Sequence, residues 1–211
     1  TEITAKSLAD FTKAGAAGYQ TLRTEHTRNF DWLRPDVFIE DLAQHLRQDA
    51  HRLFSILELA VHWQPAQDHK LAELHKLLTK KHPGQKILIF SQFADTVSYL
   101  ADQLQARGLR QMAGVTGDTE NPSAFARRFS PESNNSRDKV SGSEELRVLV
   151  ATDVLSEGQN LQDAAIVVNF DLPWAIIRLI RRAGRVDRIG QKAEEILCYS
   201  FVPADGVNRI I

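Results

Sequence analysis

Apolar residues along this chain keep two different rhythms, and the change of rhythm falls near residue 82. Over 37–61, Val37, Phe38, Leu42, Leu46, Leu53, Phe54, Leu57 and Val61 recur mainly at steps of three and four, which predicts an amphipathic helix. Leu71, Leu74, Leu77 and Leu78 repeat the pattern in a shorter helix, ended by His82-Pro83-Gly84. Residues 1–82 are therefore expected to be helical. From Lys86 the texture changes to short apolar runs separated by amphipathic stretches. ILIF (87–90) reads as a buried strand, followed by a helix carrying Val97, Leu100, Ala101 and Leu104 that stops near Gly108. MAGVTG (112–117) is a weaker strand and loop, and Pro122 opens a short helix to Phe129. The polar stretch 130–145 is expected to be an exposed loop. Strands at 146–151, 165–170 and 195–202 and a helix at 174–182 complete the alternation. Strands alternating with helices predict a three-layer α/β domain over 83–211 with a mainly parallel sheet.

Composition narrows the function classes. Lys and Arg total 26 against 27 acidic residues, which excludes a wholly basic nucleic-acid-binding surface but not a local patch. No apolar run approaches the ~18 residues of a membrane span, so no membrane partner is expected and a cytoplasmic setting fits. The single cysteine, Cys198, falls in a predicted strand and is expected to be a buried small side chain. All 7 histidines lie between His26 and His82 without a cysteine cluster, a pattern of surface or packing residues rather than of a metal site. The chain begins at Thr1 and stops in DGVNRII, which reads as a helix being entered, so a piece of a larger protein is expected.

Candidate chemistry concentrates in 146–191. Arg178, Arg181, Arg182, Arg185 and Arg188, then Lys192, give six cations in 15 positions offset only by Asp187. Steps of three, four and three from 178 to 188 would line one helical face, with Ile176, Ile177, Leu179 and Ile180 as the buried side. Guanidinium forks suit polyphosphate oxygens and the charge that develops in phosphoryl transfer. No G-x-x-x-x-G-K-[ST] phosphate loop accompanies them. In the loop 151–160, Thr152 places a hydroxyl at a strand end and Gly158 allows close approach of a ligand. Asp153 is expected to hold loop amides or an arginine. Ser91 and Gln92 after one strand, and Thr116 and Gly117 after another, repeat this chemistry and suit contacts to a phosphodiester backbone. Turn chemistry explains each alone. Trp174, at a loop-to-helix junction after Pro173, is expected to pack into the core, with base stacking as the alternative.

Three of these segments, in order, resemble the second RecA-like domain of superfamily 2 helicases and translocases. ILIFSQF is similar to motif IV, VLVATDVLSEGQNLQ to motif V and RRAGRVDRIGQ to motif VI; the Asp-Arg-Ile-Gly-Gln ending resembles the Snf2/Swi2 group, particularly its bacterial RapA-like branch. The spelling departs from that group at Ala175-Ile176 and at Arg181, which replaces a usual glutamine, and Asn160 stands where DEAD-box proteins have aspartate.

The resemblance implies a division of labour. A first RecA-like domain, supplied in cis, would carry the phosphate loop and hold Mg2+, and the present domain would close on ATP. Arg185 and Arg188 then fall at the positions of the arginine fingers, and Gly158, Gln159, Asn160 and Arg182 face the nucleotide. Ser91, Gln92, Thr116, Gly117 and Thr152 meet nucleic acid. The expected function is the second motor half of an ATP-dependent translocase on double-stranded DNA, prokaryotic and cytoplasmic, inactive as an isolated domain. An RNA-directed helicase of the same superfamily and a degenerate RecA-like protein-binding scaffold are the alternatives. The helical region would link the two motor halves and pack on the first one.

Overall fold

A computed structural model describes residues 8–25, 34–60, 63–156 and 159–202. The chain divides into two compact units, Thr1–Gln67 and Asp68–Ile211. The first contains α1 (Leu8–Glu25) and α2 (Leu42–Ala60), with the Phe11 ring edge-on to Phe54 at 6.0 Å. No residue of α2 is buried, and Leu46, Leu53 and Ile56 are each about 60% exposed.

The second unit is built on a five-stranded, wholly parallel sheet: β1 (Ile87–Phe90), β2 (Met112–Val115), β3 (Val148–Ala151), β4 (Ile166–Asn169) and β5 (Leu197–Ser200). The strand order is β2-β3-β1-β4-β5, and β1, β3 and β4 at its centre are buried along their whole length. Unbroken apolar strands are what a parallel sheet covered on both faces requires. Alternate residues of each strand serve opposite faces. Ile87, Ile89, Val148, Val150, Ile166 and Val168 pack under α3 (His69–Lys76) and α4 (Ala94–Ala106). Leu88, Phe90, Leu149, Ala151 and Val167 pack under α5 (Pro122–Phe129), Leu155, Leu161 and Val186. The architecture is the predicted three-layer RecA-like α/β fold.

Four sequence expectations change. The sheet unit begins at Asp68 rather than at residue 83, because Leu71, Leu74 and Leu78 are fully buried against β1 and β4. Asp68 caps α3 by accepting from the Leu71 N–H at 2.9 Å, and the helix ends in a π-turn over Leu77–Lys81. The segment 130–145 is folded onto the domain instead of standing off as an exposed loop. Ser130, Ser136 and Val140 are buried, Asp163 accepts from the Glu132 and Ser133 amides, and Glu145 bridges Lys86 at 2.6 Å and Arg137 at 2.7 Å. Cys198 is exposed, because β5 is the outer strand of the sheet and is covered less than its neighbours. The isoleucines of α6 (Ile176–Ala183) face outward, for a reason given below.

Candidate functional site

All five strands end on one edge. The β1→β2 connection leaves β1 in one direction across the sheet, whereas β3→β4 and β4→β5 run in the other. The crevice where directions diverge, outside the carboxyl ends of β1, β3 and β4, is where open α/β sheets bind ligands. Register puts Phe90 opposite both Ala151 and Asn169, so the loops beginning at Ser91, Thr152 and Phe170 emerge side by side.

The floor of this crevice is an arginine. Arg182 on α6 is fully buried, its guanidinium over the Phe90 ring at 5.2 Å. Its Nε and Nη2 donate to the two carboxylate oxygens of Asp153 at 2.7 and 3.2 Å, and Nη1 donates to Asn169 Oδ1 at 3.1 Å and the Asp171 carbonyl at 3.3 Å. Arg178 adds a second cation 3.5 Å from Asp153. A buried guanidinium is tolerable only when its donors are met in this way. Arg182 is thus an internal tie between motifs V and VI rather than the nucleotide ligand expected, and Asp153 holds an arginine as anticipated. The tie also inverts α6. Arg182 is the one buried residue of the helix, so Ile176, Ile177 and Ile180 turn to the outside at 73, 53 and 61% exposure.

Asp171, which the sequence reading passed over, organises the motif IV loop. It accepts the Ser91 hydroxyl at 2.5 Å and the Gln92 amide N–H at 2.9 and 3.1 Å, while the Gln92 side chain donates to the Leu172 carbonyl at 3.3 Å. Ser91 is fully buried with its hydroxyl spent on Asp171, so it shapes the loop from within, whereas Gln92 stays half-buried at the surface of that loop. The available signal was a carboxylate one residue beyond a predicted strand, at NFD.

Thr116 and Thr152 remain half-exposed at the sheet edge, and Gly117 is exposed beside them. The Thr116 amide accepts no role in the sheet but donates to Thr119 Oγ1 at 3.0 Å, whereas the Thr152 amide donates to the Val115 carbonyl at 3.0 Å. Neither threonine hydroxyl makes a protein hydrogen bond among the described residues. Gly158 lies outside the described residues.

Motifs V and VI are laced together. The exposed Arg188 donates through Nη1 to Asn160 Oδ1 at 2.6 Å and to the Gln159 carbonyl at 3.4 Å, and the half-buried Arg185 accepts the Leu161 amide on its carbonyl at 3.3 Å. Gln159 also donates to Ser123 Oγ at 3.1 Å. Gln191 Nε2 lies within 2.8–3.0 Å of the Gln162, Ala164 and Val186 carbonyls. Gly190 makes that return possible: its φ of +96° is one that side chains rarely adopt, and a Cβ there would sit 3.2 Å from Gln162 Nε2. Asn160 therefore meets an arginine finger candidate directly, and Arg188 is held by one nitrogen with the rest of its fork outward. No group of three His, Cys, Asp or Glu side chains able to hold a metal occurs among the described residues.

The sequence profile of the helicase conserved C-terminal domain family matches residues 69–190. The chain belongs to this family. It is a superfamily 2 helicase C-terminal, RecA-like domain. The uncharacterized ATP-dependent helicase YqhH of Bacillus subtilis is 31% identical over 131 residues, covering 62% of this chain and 21% of that protein. The ATP-dependent RNA helicase eIF4A of Chaetomium globosum is 34% identical over 149 residues, 68% of this chain and 32% of that protein. The chain thus spans a third or less of these relatives. The C-terminal part of the Fun30 ATPase domain shares the fold at a TM-score of 0.55 and 18% identity, over 76% of this chain and 50% of that one.

These relatives correct the expected duplex-DNA translocase. Six further proteins of 31–35% identity are named RNA helicases, among them SrmB of Haemophilus influenzae. The physical reason for the miss is visible at Gln191. Gln191, which closes the Asp-Arg-Ile-Gly-Gln ending that suggested DNA, is spent on backbone carbonyls of the motif VI loop and faces no nucleic acid. Nor does a prokaryotic source follow, since the relatives come from bacteria, fungi and plants. No helix among the described residues is long and apolar enough to cross a membrane.

Proposed function

We propose that this domain is the second motor half of an ATP-dependent, RNA-directed helicase. The observation that carries the reading is the laced motif V–VI edge, in which the exposed Arg188 is held by Asn160 and Gln159, while the half-exposed Thr116 and Thr152 follow strands that end on the same edge of the sheet. Arg188, with Arg185 next to it, fits the polyphosphate of an ATP held with Mg2+ mainly by a first RecA-like domain. Their guanidinium groups would neutralise charge developing on the phosphoryl oxygens during transfer. Gln159 and Asn160 position Arg188 for that role. Thr152, Thr116 and the Gly117 backbone would hold RNA phosphates, which gives affinity without base preference. The Snf2-type spelling of motif VI is retained as a subgroup resemblance within this reading. A cytoplasmic motor fits it as well.

The test is ATP hydrolysis by the full-length protein with single-stranded RNA, structured RNA or duplex DNA. RNA should raise the rate, and Arg188→Ala should lower the stimulated kcat by roughly 10³-fold or more while ATP still binds. Stimulation by duplex DNA but not RNA would overturn the RNA reading. A full-length protein that no nucleic acid stimulates would favour the protein-binding scaffold.

A further inference from the structure

An aromatic side chain that a sequence places in a core needs an account when it lies in solvent. Trp174 is 90% exposed, and Phe93 is 62% exposed. The two belong to loops that leave adjacent strands, β1 and β4, at the ligand-binding edge of the sheet. Those loops are fastened to each other. Asp171 takes the Ser91 hydroxyl and the Gln92 amide, and Gln92 reaches the Leu172 carbonyl. Pro173, itself buried, fixes the backbone immediately before Trp174, so the indole is presented outward from a rigid base. Presentation from a stiff loop lowers the ordering cost of binding. The surroundings are cationic as well as apolar: Arg178 is half-exposed and Arg181 exposed, one to two turns along α6. The Asp171 carboxylate, which would repel a phosphate, is already engaged by motif IV.

We infer that Trp174, with Phe93, is a stacking surface for unstacked bases of a single RNA strand, on the same edge of the sheet as the threonine hydroxyls proposed to hold its backbone. This inference rests on the RNA-directed reading and adds a substrate class to it. Every base has a π-face, so stacking tolerates any sequence but requires the base to be out of a helix. Backbone contacts through Thr116 and Thr152 would accept paired and unpaired RNA alike, whereas the indole selects the unpaired strand. Arg178 and Arg181 supply the matching positive charge for the phosphates that flank a stacked base. The isoleucines of α6 extend the apolar surface against which ribose and base edges can rest.

The experiment uses the full-length protein, a (U)12 oligonucleotide, a 12-mer of the same backbone lacking bases, and a blunt RNA duplex. Trp174→Ala should raise the (U)12 concentration for half-maximal ATPase stimulation about 10-fold, leave the base-free 12-mer unaffected, and fall on KM for RNA rather than on kcat. Trp174→Phe should restore most of the loss, and Phe93→Ala should show a smaller shift of the same kind. Thermal melting of each variant should match the parent, since the rings are exposed. Equal shifts for (U)12 and the base-free strand, or no shift for either, would overturn the stacking assignment while leaving the RNA reading intact. Loss of response to a protein partner with unchanged (U)12 binding would instead make the ridge a protein-docking surface. Failure of every RNA to stimulate the parent would remove the RNA reading itself, and this inference with it.

Discussion

The helices α4 and α6 lie on opposite faces of one sheet and obey opposite rules. α4 buries Val97, Leu100, Ala101 and Leu104 and turns its polar side to solvent, as a 3.6-residue apolar rhythm prescribes. α6 has a comparable alternation of apolar and charged residues, yet it buries an arginine and exposes three isoleucines. The difference lies in what each face of the sheet offers. Under α4 are only β-branched and aliphatic side chains. Under α6, the strand ends supply Asp153, Asn169 and a carbonyl of Asp171 around the Phe90 ring, a site that one guanidinium satisfies and no isoleucine can.

The sharpest way to break the contrast is to remove the buried cation. Arg182→Ala removes the bidentate partner of the Asp153 carboxylate and strips Asn169 Oδ1 of its donor. Truncating one partner of a buried pair costs about 3–5 kcal/mol, so the denaturant midpoint should fall markedly. Arg182→Met, which fills the volume without the charge, should destabilise nearly as much, because Asp153 remains. Leu100→Ala on α4 is the matched apolar deletion, with an expected loss of about 2–5 kcal/mol set by how far the core can collapse. If Leu100→Ala proved much the costlier of the two, the Arg182 tie would be dispensable, and the orientation of α6 would need another cause.

How much of this was legible in the chain follows the same division. The apolar runs at 87–90, 148–151 and 166–169 are buried on both faces, and short continuous hydrophobic stretches have no other use in an α/β protein. α4 was equally readable, because its partners are apolar and any of them would do. α6 was not, because the residue that decides its orientation is matched by Asp153 and Asn169, which lie 29 and 13 positions away. Periodicity reports a helix's own composition and is silent about a polar socket assembled from the ends of β3 and β4. Arg188 and Arg185 were singled out by their motif as candidates, and the same motif offered Arg182, whose guanidinium faces inward onto Asp153. Ser91 and Gln92 were assigned to ligand by position alone, before Asp171 could be seen to occupy them. Trp174 was sent to the core by a general preference of indoles, which the rigid Leu172-Pro173 turn overrides.

A smaller effect separates the two helices by pH. Tyr99 on α4 donates to Asp68 at 3.0 Å, and burial first, then that hydrogen bond, pushes its phenol up to about 12 from the ordinary 10.0. In the unfolded chain the phenol loses its proton near 10, whereas the folded protein keeps it. The stabilisation is therefore complete below pH 10 and is lost as pH rises through about 12. The stability advantage of the parent over Tyr99→Phe should be constant between pH 7 and 9 and shrink progressively above 10, read from urea midpoints. An advantage that grew above pH 10 would mean the phenol ionises more readily in the fold, against the burial and the Asp68 contact.

The smallest expected effect is the most telling for α6. Ile180 would be a core residue by its rhythm, and its replacement by serine would then cost several kcal/mol. In the structure it is 61% exposed, so Ile180→Ser should change stability by no more than about 0.5 kcal/mol. The two outcomes are separated by more than the error of a denaturant midpoint. A near-neutral result, set beside a large loss at Arg182, would establish that this helix is fastened by its charge and not by its isoleucines. The apolar side then serves something outside the domain, since four exposed large apolar residues within seven positions, Trp174, Ile176, Ile177 and Ile180, have no use to the fold that carries them.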